Sequence, residues 1–468
     1  MLRTQYDHSL AATIELSLAS PMFQELGPDA WGLLGVVAFF PQGVDENNLE
    51  WLFPTLSNRT KIFDTFCILS LTHRGNGFVT MLAPLRDHLC PKDPVSSPLL
   101  HATKNHYFHR LSVDVDPNGP SFEEARWITS EDVNVEHLLN VFTSIGANSV
   151  EVWDSCARFM EHLRWHKPRL VALGPKIEGL PDGHSSKLDC LFWLSSLFSL
   201  VGNNVEEKRL LVRALKLWRE RGDNSWVAHT LRSISNVDGF LGLYKEGIER
   251  VEEALAIYER FNDITGQVLS WRELAWLLYE DDQLGAAEEA ALRVTDLPSN
   301  KGNQHVVCEC HRILGDICCS RGETEKAISQ YETALGIAST FNWHDRLFWI
   351  NYSLAKLFLG ENRFDDAHVH LELAKSHAIN DQYGLDCAME QQAWIWYKER
   401  RLEEAKSEAS RAASVFEEMG AARDAERCRE ILRTIEQEME NPVPSGKFLE
   451  TIPLPTPVDS PFLAQGTE

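Results

Sequence analysis

A spacing of forty residues recurs through the second half of this chain, and few architectures can follow it. Behind Ala334 stand Val294, Ala254 and Ala214 at intervals of forty, and ahead of it stands Ala374, each small or apolar. One helical turn further along, Trp218, Tyr258 and Ala378 occupy matching places. A fixed period of this length marks stacked helical pairs, each too small to bury its apolar face alone. Turns between the two helices of a unit fall at Gly202-Asn203-Asn204, Gly242, Asp281-Asp282, Arg321-Gly322 and Gly360-Glu361-Asn362. A sixth unit is shifted by two residues, with Ala405 and Ala412 in the parts of Ala367 and Ala374. The expectation is a mostly α protein whose residues 186–440 form an α-solenoid, closed by a charged capping helix at Ala422–Glu440.

Three further regions are expected. In residues 1–93, helical spacing over Leu10–Ser20 and Asp29–Phe40 is followed by Glu46–Phe53, Lys61–Phe66 and a strand signal. Cys67–Thr72 and Phe78–Met81 flank Arg74-Gly75-Asn76-Gly77, an Asn-Gly hairpin turn. With a further helix at Pro84–Leu89, this order predicts a winged-helix-like domain. Residues 94–185 read as an irregular helical connector, with helices over Leu99–Ser112, Ser130–Ser144 and Val150–Trp165. Loops are expected at Pro117–Pro120 and Leu180–Gly183. Residues 441–468 carry Pro442, Pro444, Pro453, Pro455, Pro457 and Pro461, too many for helix or sheet, and predict a disordered tail.

The formal net charge of −24 over 468 residues argues against nucleic acid or an anionic membrane as partner, since phosphate binding needs a basic footprint. Around Lys61–Phe66, Asp45, Glu46, Glu50 and Asp64 outweigh Arg59 and Lys61. Apolar runs at Trp31–Phe40 and Leu191–Val201 are about half a membrane span. The ten cysteines lie in helical pattern without a leader peptide ahead of them, which predicts reduced thiols and a cytoplasmic location.

Chemistry-bearing motifs are sparse. His305, Cys308, Cys310, His311, Cys318 and Cys319 are close in sequence. However, Cys308 and Cys310 two apart on a helix point to different sides, so core cysteines are expected and no metal site is read. His344-Asp345 and Asp87-His88 are helix neighbours that do not face each other. No nucleophile elbow, carboxylate pair or dinucleotide loop occurs. No catalytic residue and no cofactor are expected. Most of the fourteen tryptophans, among them Trp193, Trp218, Trp271, Trp276, Trp349, Trp394 and Trp396, are expected to pack between helices, with a few at groove positions left to bind ligand.

One periodic polar pattern remains. Arg232, Arg272 and Arg312 stand forty apart at one place in three consecutive first helices, and Tyr352 is the fourth copy. Asn236, Trp276, Tyr279, Asp316 and Lys356 share that face. Two readings are open. The arginines line a partner-binding groove and hold carboxylates or phosphates bidentately, or each pairs with an acidic residue such as Glu273 or Glu309.

Leu314-Gly315, Gly322, Ala327, Tyr331 and Ala334 resemble the tetratricopeptide pattern, with a unit of forty residues in place of thirty-four and hence longer helices or connections. In that resemblance the arginine place tends to line the concave groove. Winged helix, connector and repeat array together, with Ile14–Pro21, Leu33–Pro41 and Trp343-His344-Asp345, look like the C-terminal part of fungal STAND-class NB-ARC/tetratricopeptide proteins. Those proteins carry a nucleotide-binding domain ending its phosphate loop in Gly-Lys-Ser/Thr. Here Lys301-Gly302 reverses the order, Gly446-Lys447-Phe448 lies in the tail, and Met81-Leu82-Ala83 stands where the family has a Met-His-Asp-like nucleotide sensor. No residue is therefore assigned to nucleotide. The resemblance implies a non-catalytic scaffold binding a protein or peptide, an acidic segment being the matching chemistry for the arginines. Two alternatives remain: the sensor portion of an ATP-dependent switch, and a DNA-binding regulator acting through the winged helix.

Overall fold

The computed structural model describes residues 12–91, 93–113, 124–146, 149–167, 169–296, 303–378, 382–418 and 422–440. The expected tail at 441–468 and the Pro117–Pro120 loop lie outside them. The chain divides into two compact units, residues 1–197 and 198–468.

In the first unit, α1 (Pro28–Phe39) begins with proline at its first position and buries Leu33, Leu34, Val37 and Phe39. There follow β1 (Val44–Asp45), α2 (Leu49–Leu52), α3 (Arg59–Ile68), β2 (His73–Gly75), β3 (Phe78–Thr80) and α4 (Ala83–Leu89). The three strands form an antiparallel sheet in the order β1-β3-β2, with Val79 opposite both Val44 and Arg74. Asn76 and Gly77 both take positive φ, as a two-residue hairpin turn requires.

The strand expected at Cys67–Thr72 is corrected. Cys67 and Ile68 complete α3, and the N–H groups of Leu71 and Thr72 fold back to the Phe66 carbonyl at 2.9 and 3.3 Å. That return lets Phe66 be fully buried, which outweighs the strand propensity of a short apolar run. β1 has no periodic signal because it is two residues long. Gly43 makes room for it at φ +77, since a Cβ there would lie 2.1 Å from the Val79 carbonyl oxygen.

α5 (Pro98–Leu111), α6 (Ile128–Ile145) and α7 (Val150–His166) match the expected connector helices. They enclose Glu131, whose carboxylate accepts from Tyr107 Oη and Asn134 Nδ2, each at 2.9 Å, and from Asn48 Nδ2 at 2.5 Å. Burial is the main cause pushing Glu131 above the usual carboxylate range, and these three donors pull against it. After α8 (Gly174–Gly179) comes α9 (Lys187–Leu200). The fully buried Lys187 ammonium donates to the carbonyls of Ile177, Glu178 and Leu180 at 2.7, 2.8 and 2.7 Å, capping the end of α8.

The second unit is a run of helical hairpins. Its helices are α10 (Asn204–Arg221), α11 (Asn224–Phe240), α12 (Tyr244–Phe261), α13 (Ile264–Glu280), α14 (Leu284–Thr295), α15 (Gln304–Ser320), α16 (Thr324–Phe341), α17 (His344–Gly360), α18 (Phe364–His377), α19 (Gln382–Lys398), α20 (Leu402–Glu418) and α21 (Ala422–Glu440). First helices begin at 224, 264, 304 and 344, then at 382, so the two-residue shift read from the alanines is a shortened unit. In the units of α11 with α12 and of α15 with α16, the extra length over a thirty-four-residue unit lies in the helices, 17 and 18 residues long.

Left-handed residues stand at Gly202, Gly222, Gly242, Asn262, Asp282, Gly322, Asn342 and Asn362, all at multiples of twenty apart. Gly and Asn tolerate that conformation best, so they end helices there. The elementary period is thus one helix and its turn, and forty is two of them. Within a unit, Ala327 and Ala334 are fully buried between helices, and the Tyr331 ring covers Gly315 so closely that a Cβ there would sit 2.5 Å from it.

Candidate functional site

The candidate face is built from the first helices α11, α13, α15, α17 and α19. Of its nine expected residues, Arg232, Asn236, Arg272, Trp276, Tyr279, Arg312, Asp316 and Tyr352 are buried, and Lys356 is half-buried. They do not make an open positive strip. Of the two readings open in the sequence, ion pairing describes Arg272 and Arg312 as they stand. Arg312 meets Glu309 at 2.6 Å and Asp316 at 2.5 Å, one turn either side of it on α15. Arg272 meets Glu273 at 3.1 Å, and Glu273 also accepts from Asn236 Nδ2 at 2.9 Å.

Glu309 is the hub. Arg346, at the start of α17, approaches its second oxygen at 3.3 Å and donates to His305 Nε2 at 2.7 Å. Burial pushes the Glu309 carboxyl upward, but the guanidinium groups of Arg312 and Arg346 outweigh it and hold the group well below the usual carboxylate range. Arg346 escaped sequence reasoning because its copies in earlier units are Val306, Gly266 and Trp226, so no period reveals it. At the far end Arg427 of α21 makes a bidentate pair with Glu390 at 3.0 and 2.6 Å and meets Asp424 at 2.7 Å.

One turn beyond the arginine column lies a second row: Asn236, Trp276, Asp316, Lys356 and, after the shortened unit, Trp394. The Trp276 ring packs where a Cβ on Gly239 would fall, and stacks obliquely on Phe240. The indole N–H groups of Trp276 and Trp394 are buried with no acceptor among the described residues. Lys356, between them in the column, feels the carboxylates of Asp316 and Glu280 but has no close ion pair among the described residues. Burial lowers its ammonium pKa, with Asp316, Cys319 and Glu280 pulling the other way. Tyr279 Oη lies 3.4 Å from Ser320 Oγ. The arrangement presents donors and asks for acceptors.

Cys308 and Cys310 behave as core residues, while Cys318 and Cys319 are half-buried. Cys308 and Cys310 are fully buried, in different apolar clusters, as their two-residue spacing requires. Burial pushes the Cys308 thiol up to about 12. Among the described residues no helix is long and apolar enough to cross a membrane.

No protein-family model matches the sequence, and no curated protein matches it. Among solved structures, the chain is similar to a STAND protein with a tetratricopeptide repeat sensor from Pyrococcus horikoshii, at 15% identity and a TM-score of 0.47. That match covers 89% of this chain and 64% of the other, so the chain spans less than two thirds of that protein's length. It is also similar to a Rap protein complexed with competence and sporulation factor, at 13% identity, covering 85% and 96% with a TM-score of 0.41. A third is NprR in complex with its cognate peptide NprX, at 12% identity, covering 74% and 88% with a TM-score of 0.38.

Proposed function

We propose that this chain is a non-catalytic cytoplasmic interaction scaffold whose repeat array takes a protein or peptide segment along the first-helix face, as part or remnant of a STAND-type switch. The carrying observation is the second row: two buried indole donors lacking acceptors, in register with a half-buried lysine. A buried donor left unpaired costs about 1–3 kcal/mol, and an extended segment offers a carbonyl at every residue. A carboxylate on that segment suits Lys356. Because the row is buried, entry requires neighbouring units to spread, which a stack held only by nearest-neighbour contacts permits.

The test is selection of binders from a random peptide library on the purified chain, followed by Trp276→Phe and Trp394→Phe. Each change removes the indole donor and trims the bicyclic ring to a benzene, leaving a small cavity in a buried place. Binding weakens in both variants while each stays folded, its melting temperature lowered only as far as the smaller ring's cavity requires. Undiminished capture by both variants rejects the face.

The alternative of DNA binding through the expected winged-helix-like domain, residues 1–93, is disfavoured by its own charges. Arg59 pairs with Glu50 at 3.3 Å, and Arg74 pairs with Glu46 and with Asp64, the latter at 2.7 Å. Salt-sensitive retention on duplex DNA would restore that reading.

A further inference from the structure

His344 opens α17 and His377 ends α18, and the helical hairpin brings these two ends together. Their Nδ1 atoms lie 3.2 Å apart, with ring centroids at 5.4 Å and planes inclined by 41°. Both rings are half-buried, so solvent reaches them. The Asn342 side-chain amide sits 3.2 Å from His344 Nε2.

Two nitrogens so placed can share one proton as a hydrogen bond, or point two lone pairs at a common guest. Zinc–imidazole bonds of about 2.0–2.1 Å in a tetrahedron set their nitrogens about 3.3 Å apart. The observed separation is close to that edge. We propose that His344 and His377 form an open chelate site for a borderline divalent transition metal of the zinc, nickel or copper class. Their two Nδ1 atoms supply part of the coordination shell and water the remainder.

Chelation needs both rings neutral with the proton on Nε2. As placed, Asn342 Nδ2 faces His344 Nε2 at 3.2 Å, so metal binding through Nδ1 requires that amide to turn by half a revolution and accept from Nε2–H. Moving one ring's proton from Nδ1 to Nε2 leaves the proton count unchanged. No group of three or more His, Cys, Asp or Glu surrounds a point among the described residues. The protein thus contributes two ligands, and the site is exchangeable, unlike a closed four-ligand structural site. A bound ion would tie the start of α17 to the end of α18 and clamp that hairpin.

The sequence hid this pair, because the visible neighbour of His344 is Asp345 and its spatial partner is thirty-three residues away.

Calorimetric titration of the full chain with Zn2+ near neutral pH tests the proposal, with Cu2+ absorption in the visible range as a second readout. One equivalent binds the wild type and raises its melting temperature. His344→Gln and His377→Gln, which retain a hydrogen-bonding side chain and helix propensity, each weaken binding by at least about tenfold and abolish the thermal shift. His368→Gln, whose ring lies 3.0 Å from Glu399 and outside the pair, leaves both readouts unchanged. Absence of saturable binding, or equal affinity in the two site variants and the wild type, overturns the proposal.

Discussion

The Tyr331 hydroxyl donates to Asp316 Oδ1 at 2.5 Å, joining the second helix of a unit to the first across fully buried space. The same carboxylate accepts from Arg312. Packing and polar network therefore meet on one residue.

Tyr331→Phe removes a donor to a buried carboxylate and should destabilise the array by about 1.5–3 kcal/mol. Gly315→Ala, beneath the same ring, forces overpacking at a cost of about 1–3 kcal/mol. Chemical denaturation of each variant reads both values. A Gly315→Ala protein as stable as the wild type would show that the ring moves freely.

Arg272→Glu should lower the melting temperature sharply. Arg272 is 5% exposed and paired with Glu273, so the change sets two carboxylates together in a buried place. Breaking a buried pair costs about 3–5 kcal/mol. Thermal unfolding by circular dichroism measures it, and an unshifted transition would mean that the guanidinium is not structurally required.

Lys187→Met should destabilise the first unit by roughly 3 kcal/mol, because three carbonyls at the end of α8 lose a charged donor in a fully buried place. Faster hydrogen exchange confined to α8 and its neighbours is the expected signature.

Stability should fall on mild acidification. Burial, then Arg346 and Arg272, lower the His305 pKa from 6.5 to about 3. The folded ring stays neutral where the unfolded one takes a proton, so its stabilising share is complete above about pH 6.5 and is lost as pH falls toward 3. His305→Gln should therefore lose less melting temperature than the wild type between about pH 7 and about pH 5. Parallel decline in the two proteins would contradict this.

What the sequence determined by itself is whatever repeats locally. Ala334 and its copies at forty-residue steps announced the helical pairs, and Gly242, Asp282, Gly322 and Asn362 marked the turns, because a helix end needs a residue that tolerates positive φ. The Asn76-Gly77 turn was equally legible. Charge partners were not. The arginine column is visible as a period, yet its character depends on Glu309 and Arg346, which face each other only when α15 lies against α17. His344 and His377 are likewise brought together by folding of the hairpin. Periodicity encodes which face a residue takes on its own helix. Winding of successive helices sets what that face meets, and hence whether a polar group ends buried and paired or buried and alone.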